Sequence, residues 1–214
     1  MTIHEFIPTF REDIAPRYMR NQQAFDVHGI HGVLHIARSL LIGNMLAHEL
    51  EKKGVAGRSY PEIHRHGIFC AIGFHDSGRK GSGIDYWENI SRDNCLRYLT
   101  MLGYNPDYCK ETADMILKNN PDRTPEYLCV YDADVLDIMR PCTGIGVSGF
   151  QKSYLQLTGI FGEAYYETII GEVAGYIMDT EGQKNKLSGI ASLSKCIDIV
   201  QKNKTTYKLL NESL

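Results

Sequence analysis

The stretch HGVLHIARSLLIGNMLAHELEKKG, residues 31–54, decides the class of fold. Its apolar residues Val33, Leu34, Ala37, Leu40, Leu41, Met45 and Leu46 recur at steps of three and four, the repeat of one helix face. Gly54 stops the run, as a residue tolerant of positive φ does just past a helix end. The pattern predicts one long amphipathic helix.

Working outward, the same period returns. A second helix is expected to begin near SYPEIHRHG, with Pro61 in the first turn, and to run through IFCAIGFHD until Ser77 and Gly78 break it, which puts His75 and Asp76 on its last turn. Further helices are read in DYWENISRDNCLRYLTMLG, in PDYCKETADMILKNN and in PEYLCVYDADVLDIMR, the last ending before Pro141. The text from FQKSYLQLTGIF through SGIASLSKCIDIVQKN reads as two or three more, within residues 147–201, and a polar tail covers 202–214. No strand alternation, repeat or low-complexity block breaks this pattern. The expectation is an all-α single-domain helical bundle spanning residues 1–214, of about seven to nine helices. GIGVSG, Gly144–Gly149, has the spacing of a dinucleotide fingerprint but follows a predicted helix rather than a strand, so it reads as a loop.

Composition narrows the function classes. The 214 residues are 43% hydrophobic and 23% charged, which is ordinary for one globular domain. Apolar runs stay well short of the roughly 18 residues of a membrane span, and the N-terminus places Glu5, Glu12 and Asp13 among its hydrophobics, unlike a signal peptide. A cytoplasmic location is therefore expected, with no membrane partner. A net charge of -3 provides no basic footprint for bulk nucleic-acid binding. The six cysteines lack C-x-x-C spacing and read as buried free thiols.

Chemistry concentrates in three places. His28, His31 and His35 fall at steps of three and four along one helix face. His75 and Asp76 end an apolar helix, where an Asp is electrostatically misplaced without a cation partner. YDADVLD offers Asp132, Asp134 and Asp137 on a later helix. One His, the His-Asp pair and one further Asp, delivered by three helices, form a nitrogen and oxygen set suited to one divalent transition metal: manganese, iron, cobalt, nickel or zinc.

The ordered texts HIAR, GFHDSGR and DADVLD resemble the HD superfamily of metal-dependent phosphohydrolases over residues 28–140. The resemblance implies an HD-type bundle, with His35, His75, Asp76 and Asp134 as metal ligands; Asp132 and Asp137 are then expected to be solvated, since one helix cannot aim all three aspartates inward. HGVLHIAR and FHDSGRKGSGIDYWEN are also similar to a branch of that superfamily reading H-G-x-x-H-x-x-R and H-D-S-x-R-x-x-D-G-x-D-x-x-H-G. Arg79 and Asp85 match it; Ser82, Glu88 and Asn89 depart from it. The likeness implies hydrolysis of a phosphate ester, of a small nucleotide-like substrate, with a metal lowering the pKa of its water. Asp76 orients or deprotonates that water, Arg79 and Lys80 offset developing phosphoryl charge, and Glu88 is a further candidate acid or base. His31, Arg38 and Asp85 are the expected substrate contacts. His64 and His66 are read as rim or surface residues.

A second likeness is to bacterial effector phosphodiesterases that process phosphoribosyl-linked ubiquitin, whose helical domain uses two histidines and a glutamate. An early His with Glu88 matches two of the three; no histidine follows His75. The competing class is a catalytically silent metal- or nucleotide-binding module, or a helical adaptor.

Overall fold

The computed structural model describes residues 1–18, 31–57, 63–81 and 86–139. Among them lie six α-helices and no strand: α1 Ile3–Thr9, α2 Val33–Lys52, α3 Arg65–Phe74, α4 Glu88–Met101, α5 Pro106–Asp114 and α6 Pro125–Met139. A wider π-helical segment, Phe10–Ile14, continues α1. None of the described helices is long and apolar enough to cross a membrane. The expected C-terminal helices, the tail, the GIGVSG loop, His28 and Asp85 lie outside the described residues.

The stretch 31–54 forms the long helix its periodicity predicts, closed by a Schellman turn. Gly54 adopts φ +70, its N–H donates to the Glu51 carbonyl, and the Val55 N–H reaches back to Leu50 at 3.0 Å. Side chains on several sides of α2, including Val33, Ile36, Leu40, Leu41, Ile42, Met45, Leu46 and Leu50, are buried, so it is a central helix rather than a surface one. α3 is more enclosed still: every residue from Gly67 to Phe74 is buried. α2 and α3 run antiparallel, with Asn44 beside Arg65 and His35 beside His75. α6 packs on both and runs parallel to α3. Arg65 ties the far end of this trio, donating to Glu51 Oε1 at 2.9 Å and Asn44 Oδ1 at 3.0 Å.

Three boundaries differ from the sequence reading. α3 starts at Arg65, and it ends at Phe74, so His75 is its cap and Asp76 lies beyond it. α5 stops at Asp114 rather than running to the Asn pair, because Asn120 takes the Asp114 carbonyl with its own amide and three-residue turns replace the helix. The N-terminal helix was not among those expected. Its sign in the sequence is the capping box of Thr2 and Glu5, which bond each other's backbone amides.

Glycines set the closest approaches. An added Cβ at Gly78 would lie 2.7 Å from the Ser91 backbone nitrogen, whereas one at Gly43 meets the end of the Ile72 side chain, which can rotate away. Gly78→Ala is therefore expected to cost about 1–3 kcal/mol and Gly43→Ala less. Urea unfolding of the two variants checks the order; a costlier Gly43→Ala contradicts this packing.

Candidate active site

Three helices bring the site together at one pole of the bundle: α2 with His31 just before it, the α3 end with the turn after it, and the last two turns of α6. The turn is held from outside by α4. Gly78 N–H donates to Ser91 Oγ at 2.9 Å, and Asn94 donates to Ser77 Oγ at 3.1 Å. The Arg79 N–H closes the turn on the Asp76 carbonyl at 3.0 Å.

Within this frame His35 Nε2 and His75 Nε2 stand 3.0 Å apart. Asp134 Oδ1 lies 3.2 Å from the first and 3.5 Å from the second. Asp76 Oδ2 is a step further, at 4.0 and 3.8 Å. The other ring nitrogens fix the tautomers. His35 Nδ1 donates to Asp137 Oδ2 at 2.7 Å, and His75 Nδ1 donates to the Ile72 carbonyl at 2.8 Å. When neutral, both rings direct an Nε2 lone pair at the same point, an arrangement that a shared proton or metal ion makes favourable. His35, His75 and Asp134 are the group whose ligand atoms converge within 4.8 Å of one another among the described residues. Two imidazoles and a carboxylate, with Asp76 near, suit a divalent transition metal.

Electrostatics agrees with that geometry. Asp76, Asp134 and Asp137 face two guanidiniums, Arg38 and Arg79, which leaves an excess of negative charge. Burial alone would lower the His35 pKa, but Asp134 and Asp137 overcome it and push it up to about 10. His75 is raised in the same way, against its own burial, by Asp76 and Asp134. For Asp76, Asp134 and Asp137 burial works upward, yet the facing imidazoles, with Arg38 at Asp137, hold all three well below the usual carboxylate range. The pocket draws a proton or another cation onto its nitrogens.

The predicted ligands thus come together, with Asp76 more closely engaged elsewhere: its Oδ2 accepts from His31 Nδ1 at 2.9 Å and its Oδ1 from Arg79 Nε at 3.1 Å. His31, at 13% side-chain exposure, and Asp134, at 22%, mark the open side. Arg38 is not at that side. It is 1% exposed and grips Asp137 through Nε at 2.6 Å and its terminal nitrogen at 2.9 Å. Arg79 is buried beneath the Trp87 ring, while Lys80 is exposed. Glu88 turns to Lys118, accepting from its amide at 3.1 Å.

Two expectations are corrected. Asp132 and Asp137 are fully buried, not solvated, because α6 is enclosed on more than one side. Asp137 is the residue sequence reasoning missed. No local spacing signals it, because its partners His35 and Arg38 come from α2 across the helix interface. His64 and His66 are half-buried against Tyr108 rather than on the surface. The four described cysteines are buried free thiols, as expected.

Removing Asp137 leaves Arg38 buried without its carboxylate. Asp137→Ala is expected to cost about 3–5 kcal/mol in chemical denaturation. A pH series in chelator gives the second test. The folded His35 pKa lies above its unfolded value of about 6.5, so its contribution is fully present below pH 6.5 and disappears as pH rises through about 10. The thermal midpoint should fall across that window and fall less in His35→Gln; parallel curves for the two proteins contradict the charge assignment.

The family model of the SidE phosphodiesterase (PDE) domain matches residues 7–212. No curated protein and no solved structure matches the chain. The match covers nearly the whole sequence, and the chain belongs to the SidE phosphodiesterase domain family.

Proposed function

We propose that this SidE-family phosphodiesterase cleaves its substrate at the pole where His31, His35, His75, Asp76 and Asp134 meet, and that the site is of the HD type. The observation that carries the reading is the convergence of His35 Nε2, His75 Nε2 and Asp134 Oδ1 within 3.0–3.5 Å in a pocket with excess negative charge. The order His, His-Asp, Asp along the chain supports the HD comparison.

A divalent transition metal fits these ligands; His35, His75 and Asp134 would hold it, with Asp76 completing the set. Such an ion supplies Lewis acidity toward the phosphoryl group and a water acidic enough to react near neutral pH. The protein's own groups do the rest. His31 donates Nδ1–H to Asp76 and stands at the more exposed side of the pocket, an imidazole placed to take a proton from an attacking water or to return one to the leaving oxygen. Asp76 fixes that tautomer, while Arg79 holds Asp76 from the other side. Asp137 does the same for His35, with Arg38 restraining its carboxylate. Lys80, exposed one residue after Arg79, supplies a cation to phosphoryl oxygens. Glu88, engaged with Lys118, is given no step.

Family membership favours a narrower second reading, a phosphodiesterase acting on phosphoribosyl-linked ubiquitin. His31 or His35 would serve as the early histidine of that resemblance. The downstream histidine has no counterpart, since His75 is the last in the chain.

Chelator-treated protein reconstituted with Mn²⁺ should release p-nitrophenol from bis(p-nitrophenyl) phosphate. His31→Gln is expected to lower kcat about 10²–10⁴-fold with a folded far-UV spectrum. His75→Ala and Asp134→Ala should lose both turnover and bound metal. Lys80→Ala should raise KM more than it lowers kcat. Full turnover in excess chelator rules out the metal assignment. A parent protein inert to the generic diester and to a phosphoribosyl-linked ubiquitin conjugate alike sinks the reading.

A further inference from the structure

The last turn of α3 has an unusual set of bonds. In a helix that ran on, the Gly73 carbonyl would accept from the Ser77 N–H, four residues later. Ser77 instead donates to Phe74 at 2.9 Å, and the Ile72 carbonyl is taken by the ring of His75 at 2.8 Å. The Gly73 carbonyl is thus a buried helix-end acceptor without its helical donor, a group whose desolvation must be met from elsewhere. Tyr18 meets it. Its hydroxyl, on a fully buried side chain, donates to Gly73 O at 2.8 Å across 55 residues of sequence.

The segment that brings Tyr18 there is fixed to the same helix end at several points. Ile14 packs so closely on Gly73 that an added Cβ would lie 2.6 Å from its Cδ1. The Arg17 guanidinium sits 5.0 Å above the Phe74 ring. Tyr98 of α4 donates to Asp13 Oδ2 at 2.8 Å. None of these residues touches the reacting groups, yet all surround the residues immediately before His75.

We propose that Tyr18 is a positioning residue for the active site: by occupying the Gly73 carbonyl, its hydroxyl ends α3 at Phe74 and so sets where His75 and Asp76 stand. Without it, the freed carbonyl is available to the Ser77 N–H, and α3 continues. Each residue added to a helix turns the chain by about 100°, which carries the Asp76 carboxylate away from His31 and Arg79. The catalytic consequence rests on the phosphodiesterase reading; the control of the helix end does not.

The test compares Tyr18→Phe, which deletes one oxygen, with Tyr98→Phe, which deletes a hydroxyl bonded to the same N-terminal segment but not to α3. Two readouts are taken on the Mn²⁺-loaded full chain: turnover of bis(p-nitrophenyl) phosphate and amide hydrogen exchange at Asp76 and Ser77. Tyr18→Phe is expected to lower kcat about tenfold with KM within about twofold, and to slow Asp76 exchange about tenfold as its N–H joins the lengthened helix, while Tyr98→Phe changes neither. p-Aminophenylalanine at position 18, which keeps a donor in place, should restore both, and it decides the matter if the Phe variant does not fold. Parent-like kcat and exchange in Tyr18→Phe, or failure of the amino variant to restore them, overturns the proposal. A parent without turnover rejects the phosphodiesterase reading, and exchange alone then decides the role of Tyr18.

Discussion

The Asp137 carboxylate, fully buried in the seam between α2 and α6, is the constraint on which the site depends. One oxygen takes the Nδ1 proton of His35, and both oxygens accept from Arg38. A carboxylate in such surroundings is tolerated only when fully paired, and the pairing here fixes a ring as well as a charge. It sets the tautomer of His35, directs Nε2 at His75, and holds α2 in register with α6. Asp76 repeats the arrangement on the open side, restraining His31 while Arg79 restrains it. The two carboxylate–histidine pairs differ in exposure, and on the proposed function that difference would separate their duties, the buried pair building the cation seat and the half-open pair facing substrate.

The fold serves this arrangement through helix ends. α3 must be apolar on all sides to cross the core, and it must also deliver a His and an Asp at its terminus. A regular helix would place those two residues about 100° apart around its axis. Ending the helix at Phe74 frees His75 to turn its Nδ1 back onto Ile72 and lets Asp76 face His31. Gly78 and Ser91 hold the following turn against α4. The N-terminal segment closes the helix end from the other side, so the site is braced by parts of the chain that carry none of its chemistry.

Much of this is legible in the sequence. The spacing of Val33, Leu40, Leu41 and Leu46 marks the central helix, and Gly54 marks its end, because both follow from local periodicity and backbone freedom. One early histidine, the His75–Asp76 pair and one of the later aspartates can be grouped because a cation is the usual reason to place such residues at the edge of an apolar core; the choice of His35 and Asp134 among them rests on the HD resemblance. Burial of Asp137 is not legible: it depends on Arg38 across the helix interface, and pairwise compensation leaves no local trace. The commitment of Arg38 to that pair, and of Glu88 to Lys118, is likewise tertiary. Local pattern carries α3 two residues too far for the same reason, since the donor that stops it comes from Tyr18.

The proposed function has the excess buried negative charge seat one cation at His35, His75 and Asp134. Calorimetric titration of chelator-treated protein with Zn²⁺ at pH 7, in two buffers of different ionisation enthalpy, measures both stoichiometry and proton exchange. One ion per chain should bind with release of about one proton, because the metal displaces the proton held by His35. Binding without proton release, or no saturable binding, would contradict it.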